Sequence, residues 1–308
     1  MGYDENFLQG HRIPLPTAST SIVEDLYLGG QFVHHSRISV LFNKRRGFTA
    51  CSAHNVDGSS LPEGQWTKRN FKLDPKIKPT SLQVGDKRGY WKNDWDRGHM
   101  ARRKSMSWGN PDDARQAELE SDYFSNICPQ HENLHDIAWG KIEDWMLELA
   151  NDNSSQACVF TGPVFTPDDP EITNAPGQKP VKIPAGFWKI IVVLVSDKVR
   201  AAAFLVWQRD YDTEEPLPFA PVLEQVRITT VEVLSGLTFS TLRKYDPMLF
   251  DRRNNIRSEI TEAGLRGVLY ESASGSPLEL TEEAIRRFAR ATQGRNSPGI
   301  FSPADIIL

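Results

Sequence analysis

The densest reactive chemistry in the chain lies in Asp96-Arg97-Gly98-His99, followed by Arg102-Arg103-Lys104. A neutral imidazole accepts a proton near pH 7, which suits His99 to act as a general base. Gly98 permits a tight backbone beside it, and a solvated polar loop is the competing reading. The surroundings point to phosphate: Lys87 to Lys104 holds seven basic and two acidic residues, and such a local excess attracts phosphate groups. Downstream come Asn126, Pro129 and Gln130, then Asn133, His135, Trp139 and Glu143. On a continuous helix eight residues turn about 800°, so His135 and Glu143 would lie roughly 80° apart, one reaching a metal and the other holding its water. That spacing suits a single hydrated cation. Cys128, His131 and His135 have zinc-type donors, but three ligands so close to a proline match no common structural zinc site. Trp139 and Trp145 read as core residues rather than base-stacking platforms.

Taken together, Asp96-Arg97-Gly98-His99 and Asn126-x-x-Pro129-Gln130 with Trp139 and Glu143 resemble the motifs of the DNA/RNA non-specific endonucleases, the endonuclease G-like group of the ββα-metal superfamily. Weaker similarity runs through Arg45-Arg46, Asn55-Val56-Asp57-Gly58, Thr161-Gly162-Pro163-Val164-Phe165 and Pro184-x-x-Phe187-Trp188-Lys189, in the family's order over about residues 1 to 247. The resemblance implies an α+β chain with the ββα-metal nuclease fold, a central antiparallel sheet flanked by helices. It implies that His99 takes a proton from water for in-line attack on phosphorus. Asp96 and Arg97 would shape the loop, Arg97 also contacting phosphate, and Asn126 would anchor the site by hydrogen bonds. Glu143 would hold a metal-bound water. Arg45 or Arg46 would stabilise developing charge, their alternative being a basic turn in solvent, and Arg102, Arg103 and Lys104 would contact phosphates regardless of base.

In the family the metal ligand is an Asn nine residues after the first Asn of Asn-x-x-Pro-Gln; here that position is His135. Imidazole favours Mn²⁺, Ni²⁺ or Zn²⁺ over Mg²⁺. Three assignments stay open: His135 is the ligand with a shifted metal preference, Asn133 is the ligand with His135 behind it, or the site is weakened and only binds nucleic acid. The implied activity is a metal-dependent endonuclease, with one divalent cation, Mg²⁺ or Mn²⁺, that cuts DNA to 5′-phosphate and 3′-hydroxyl ends. RNA is an open second substrate, and a regulated antiviral-defence or toxin role is an open setting. The alternative is a catalytically weakened nucleic-acid-binding protein. Implied partners are an inhibitor or activator and a second copy in a homodimer.

The elements that must position these residues follow from pattern. Ile38 to Phe42 and Phe48 to Ala53 read as strands joined by the basic turn at Lys44-Arg45-Arg46-Gly47, and Phe187 to Val195 and Val199 to Trp207 as a hairpin around Ser196-Asp197-Lys198. Val159 to Thr161 reads as a further strand of the same sheet. A helix is expected to begin at Asn110-Pro111-Asp112, another to run from about Asp136 to Asn151, and a short one from about Leu223 to Leu234. Residues 1–36 read as an extended N-terminal arm with one helical turn near Val23 to Tyr27, 37–250 as the nuclease domain, and 251–308 as an appendage of unknown role with a helix near Thr281 to Thr292. The 308 residues leave room for one catalytic core of roughly 230 to 250 residues plus that appendage. With 36 basic against 40 acidic side chains and a net charge of −4, bulk positive charge cannot hold nucleic acid, so any contact is local. Three widely spaced cysteines argue against a disulfide framework, and no segment reads as a signal or membrane span. A cytoplasmic protein is expected.

Overall fold

The computed structural model describes residues 2–61, 67–90, 93, 95–135, 137–149, 156–208, 222–249 and 299–308, without the side chains of His135 and Leu249. In chain order the strands are β1 (Thr17–Ala18), β2 (Val33–His34), β3 (Ile38–Asn43), β4 (Phe48–Asp57), β5 (Trp95–His99), β6 (Ile127–His131), β7 (Gln156–Val164), β8 (Glu171–Ile172), β9 (Val181–Lys182), β10 (Gly186–Val195), β11 (Lys198–Trp207), β12 (Leu223–Val226) and β13 (Leu237–Thr238). The α-helices are α1 (Asp86–Gly89), α2 (Pro111–Ser121), α3 (Ile142–Leu149) and α4 (Ile228–Ser235). Seven strands form one antiparallel sheet in the order β12-β11-β10-β7-β4-β3-β2. This is the α+β arrangement with a central antiparallel sheet that the motifs imply.

The sheet is apolar on both faces because both are covered. Along β10, Trp188, Ile190, Val192 and Leu194 enter one core, while Phe187, Ile191 and Val193 enter the other, as the two-residue period of a strand requires. The first core is closed by α4 and by the N-terminal segment, whose Tyr3, Leu8, Ile13 and Leu26 are buried in it. β1 pairs with β13. The N-terminal segment is thus anchored on the sheet through these side chains, β2 joins the sheet itself, and the expected helical turn is a 3-10 turn at Val23–Asp25. The second core takes Met100, Phe124, Ile127, Trp139, Ile142 and Met146, all near the motifs. The functional residues therefore belong to this second layer.

Local chemistry explains the turns. Ser196 and Asp197 carry positive φ (49° and 60°) between β10 and β11, the conformation of a two-residue hairpin turn with the right twist. Asn110 caps α2 by accepting from the Asp112 amide at 2.9 Å, with Pro111 in the first turn. Two expectations need correction. Leu223 to Val226 is β12, hydrogen-bonded to β11, and the helix starts only at Ile228. The expected helix from Asp136 is interrupted: 3-10 turns at Glu132–His135 and Ala138–Gly140 precede α3. Gly140 is a poor helix former at the break, so His135 and Glu143 do not share one continuous helix and the 80° estimate does not apply. The expected helix near Thr281 to Thr292 lies outside the described residues. Ile300 and Ile306 are buried in the second core, and Phe301 is 77% exposed.

An ion pair fixes α3 to the sheet. Lys189 of β10 donates from Nζ to Glu143 Oε1 at 2.6 Å, both side chains almost wholly buried. Ser105 donates to Glu143 Oε2, and His54 Nε2 of β4 lies 3.5 Å from the same oxygen. Burial opposes ionisation of Glu143, but Lys189, His54 and Arg102 outweigh it and hold the carboxyl well below its usual range.

Two predictions test this packing. A methyl group at Gly162 would lie 2.3 Å from the Ala50 carbonyl and 2.6 Å from the Trp188 ring, so Gly162→Ala lowers unfolding free energy by about 1–3 kcal/mol in urea titrations. Glu143→Gln leaves the buried Lys189 ammonium without its anion and costs about 3–5 kcal/mol by the same measurement. An unchanged midpoint in either variant would contradict the packing described.

Candidate active site

His99 ends β5, whose partner is β6, with Gly98 opposite Cys128 and His99 opposite Ile127. Just beyond, the chain is stitched to Asn126. The Asn126 carbonyl accepts from the Met100 amide at 2.9 Å, and its side-chain Oδ1 accepts from Ala101 N at 2.9 Å and Ser52 Oγ at 2.8 Å. Its Nδ2 donates to Ala101 O and Ser121 O at 3.1 and 2.9 Å. A buried amide with every hydrogen-bonding position occupied fixes the chain after His99 relative to β4 and the end of α2.

Gly98 has a steric reason. A Cβ there would sit 2.1 to 2.2 Å from Gln130 side-chain atoms, so only glycine lets the Gln130 amide lie across the strand. Gln130 reaches a cavity of about 150 Å³ that is also lined by His99, Arg102, Leu134, Trp139, Gly140 and Lys189. The Gln130 Nε2 has no hydrogen-bond partner among the described residues. Lys189 Nζ stands 4.7 Å from the Trp139 ring centroid, a cation–π contact that keeps the ammonium at the wall. Arg102 is half-buried and paired with Asp144 at 2.9 Å. The cavity is thus lined by one imidazole, one amide side chain and two cationic side chains, a surface for an anion.

His99 itself is held from behind. Its Nε2 is 2.9 Å from Asp122 Oδ1, and Phe71 packs against the ring with centroids 5.5 Å apart. Burial lowers the imidazole pKa, Asp122 raises it, and Arg69 and Arg103 lower it, with a net downward shift from the ordinary value. The ring is therefore neutral at pH 7 and able to accept a proton.

The other motif residues are dispersed. Arg97 is pinned to Asp86 at the surface and lies near the Phe71 and Tyr90 rings. Asp96 is exposed, on the opposite side of β5 from His99. Arg45 reaches Asp25 at 3.4 Å and is 76% exposed, while Arg46 pairs with Asp169 at 2.9 Å and donates to Thr166 O at 2.6 Å. Neither lines the cavity, because each is drawn to a carboxylate elsewhere. Arg103 is also turned inward, bonded to Thr67 and Glu118 and 3.6 Å from Asp122. Lys104 stays at the surface, 3.5 Å from Asp144.

The metal residues expected from the motif are arranged differently. Both Glu143 oxygens are committed to Lys189, Ser105 and His54, so this carboxylate acts as an internal counter-ion. Asn133 donates its backbone amide to His131 Nδ1 at 3.3 Å. The His135 backbone closes the 3-10 turn and its side chain lies outside the described residues. Among the described residues no three His, Cys, Asp or Glu side chains could hold a metal together, and their donors do not fit a protein-enclosed ion. Two site features were not foreseen from the sequence. Lys189 had a signal, as the one charged residue within the apolar run Phe187 to Val195. Asp122 had none, being one of five acids between Asp112 and Asp122.

A family model for DNA/RNA non-specific endonucleases matches residues 18–245. The uncharacterized protein y4fB of Sinorhizobium fredii is 30% identical over 237 residues, which cover 72% of this chain and 34% of that protein. The nuclease of Serratia marcescens is 33% identical over 197 residues, 62% of this chain and 67% of that protein. The chain thus spans about a third of the first relative's length and about two thirds of the second's. A crystal structure of the EndoG/EndoGI complex aligns with a TM-score of 0.54 and 21% identity, covering 74% of this chain and 94% of that one, a likeness of fold. His99, Asn126 and the cavity they shape fall within the matched span, and the chain belongs to the DNA/RNA non-specific endonuclease family.

Proposed function

We propose that the protein is a sequence-non-specific endonuclease that hydrolyses phosphodiester bonds of DNA and RNA to 5′-phosphate and 3′-hydroxyl ends. The observation that carries this reading is a neutral His99 facing a small cavity whose other polar groups are Arg102, Lys189 and Gln130. A phosphodiester placed there meets the cations of Arg102 and Lys189, which stabilise charge developing on its oxygens. His99 takes a proton from water as the new O–P bond forms, the P–O3′ bond breaks, and the departing 3′ oxygen takes a proton from solvent. None of these contacts involves a base edge, which accords with a substrate chosen by its backbone.

Dependence on a divalent cation belongs to the same proposal and rests on family membership. By position His135, or alternatively Asn133, would hold it, and a cation bound there would supply charge neutralisation at the phosphate. Restraint by an inhibitor is proposed in turn, since the EndoG structure was solved in complex with EndoGI in a study of EndoG inhibition.

Two outcomes test the reading. Wild-type protein nicks plasmid DNA with Mg²⁺ or Mn²⁺, and His99→Ala loses at least about 100-fold of that rate while keeping its circular dichroism spectrum. No cutting of plasmid, single-stranded DNA or RNA by wild type in either metal would overturn it. His135→Asn, which restores the family's residue, raises the Mg²⁺-supported rate relative to the Mn²⁺-supported one. An unchanged ratio would remove His135 as the ligand.

A further inference from the structure

We propose that Asp122 is a positioning residue that makes His99 a carboxylate-oriented base, fixing which ring nitrogen takes the proton. The inference rests on the nuclease reading for its catalytic consequence, and on geometry for the rest. Asp122 follows the last turn of α2 and is fully buried. Its Oδ2 accepts from the Asn70 amide at 2.7 Å and its Oδ1 faces His99 Nε2 at 2.9 Å. Burial opposes its charge, but the contacts with His99, Asn70 and Arg103 prevail and hold the carboxyl below its ordinary range. An ionised carboxylate can only accept hydrogen bonds. The proton of the neutral ring must therefore sit on Nε2, and the lone pair is left on Nδ1.

Asp122 faces the ring from the end of α2, Arg103 from the 3-10 turn Arg103–Met106 that follows His99, and Arg69 from the loop preceding Phe71, while Arg102 and Lys189 share its cavity; Phe71 itself packs against the ring. When His99 takes a proton on Nδ1, the imidazolium donates from Nε2 to an anion already in place. The proton gained from water passes on to solvent, and Asp122 stays ionised throughout. Both Asp122 oxygens are oriented before substrate arrives, so no reorganisation accompanies the step. Arg103, expected to touch nucleic acid, instead helps keep Asp122 charged. This gives the acid run of α2 one member with a catalytic consequence.

Asp122→Asn keeps the shape and removes the charge. Its expected effect is a fall in kcat on plasmid DNA of at least about 10-fold, with KM unchanged because Asp122 does not reach the cavity. The acid limb of the pH–rate profile moves down by about 1 unit or more, because the carboxylate that raises the His99 pKa is gone. A merely structural role would lower the active fraction and leave that limb in place, which would overturn the proposal. Should the variant not fold, the wild-type protein decides. In protein ¹⁵N-labelled at histidine, NMR of the ring nitrogens is expected to show His99 with its proton on Nε2 at pH 7. A proton on Nδ1 would overturn the proposal. The tautomer is read without turnover, so failure of wild type to cut nucleic acid would sink the nuclease reading and leave this result standing.

Discussion

The site depends on one buried amide. Asn126 joins the chain that leaves His99 to β4 through Ser52 and to the end of α2 through Ser121. Because Asp122 directly follows Ser121, the last residue of α2, the same amide that places the loop after His99 also places the carboxylate behind it. His99 and Asp122 lie 23 positions apart in sequence, and neither would find the other reliably if the loop between them were free. A side chain with all its hydrogen-bonding positions filled is costly to disturb, since each loss leaves a buried polar group unpaired. That cost is what keeps the imidazole in one place.

The second organising feature is how charge is distributed in a chain that is acidic overall. At the cavity the positive groups are not free; Lys189 is paired with Glu143 and Arg102 with Asp144. Pairing lets two cations sit at the wall of a small, largely buried space without the full penalty of isolated charges. It also gives Glu143 a definite role, since the carboxylate keeps Lys189 charged within the apolar second core and ties α3 to β10. His54, buried on β4 with its Nε2 3.5 Å from Glu143 Oε2, completes that internal cluster. The sheet thus contributes Ser52, His54 and Lys189 on its second face, a polar stripe in an otherwise apolar layer.

Much of this was legible in the sequence where the signal was local. Asp96-Arg97-Gly98-His99 is contiguous, Asn126 stands in a spaced motif, and the β10–β11 hairpin shows as two apolar runs around Ser196-Asp197. The signal failed where the partner is remote. Arg46, expected near developing charge, and Arg103, expected on phosphate, have Asp169 and Glu118 beside them, and Glu143, expected to hold a metal-bound water, meets Lys189, 46 positions away. The helix expected from Asp136 breaks at Gly140, which apolar periodicity does not register. Residues 1–36 read as an arm because Leu8, Ile13 and Leu26 are scattered, and only the core that buries them makes one surface of them. Asp122 could not be singled out among its neighbouring acids without the fold.

The central claim is that the cavity beside His99 is where the scissile phosphate sits. A crystal structure with a short phosphorothioate DNA bound tests it most directly. A phosphate is expected in that cavity, within hydrogen-bonding reach of Lys189, Arg102 or Gln130, with His99 Nδ1 turned toward the attacking side. A phosphate backbone that bypasses the cavity, or a His99 ring released from Asp122 and turned away, would contradict it.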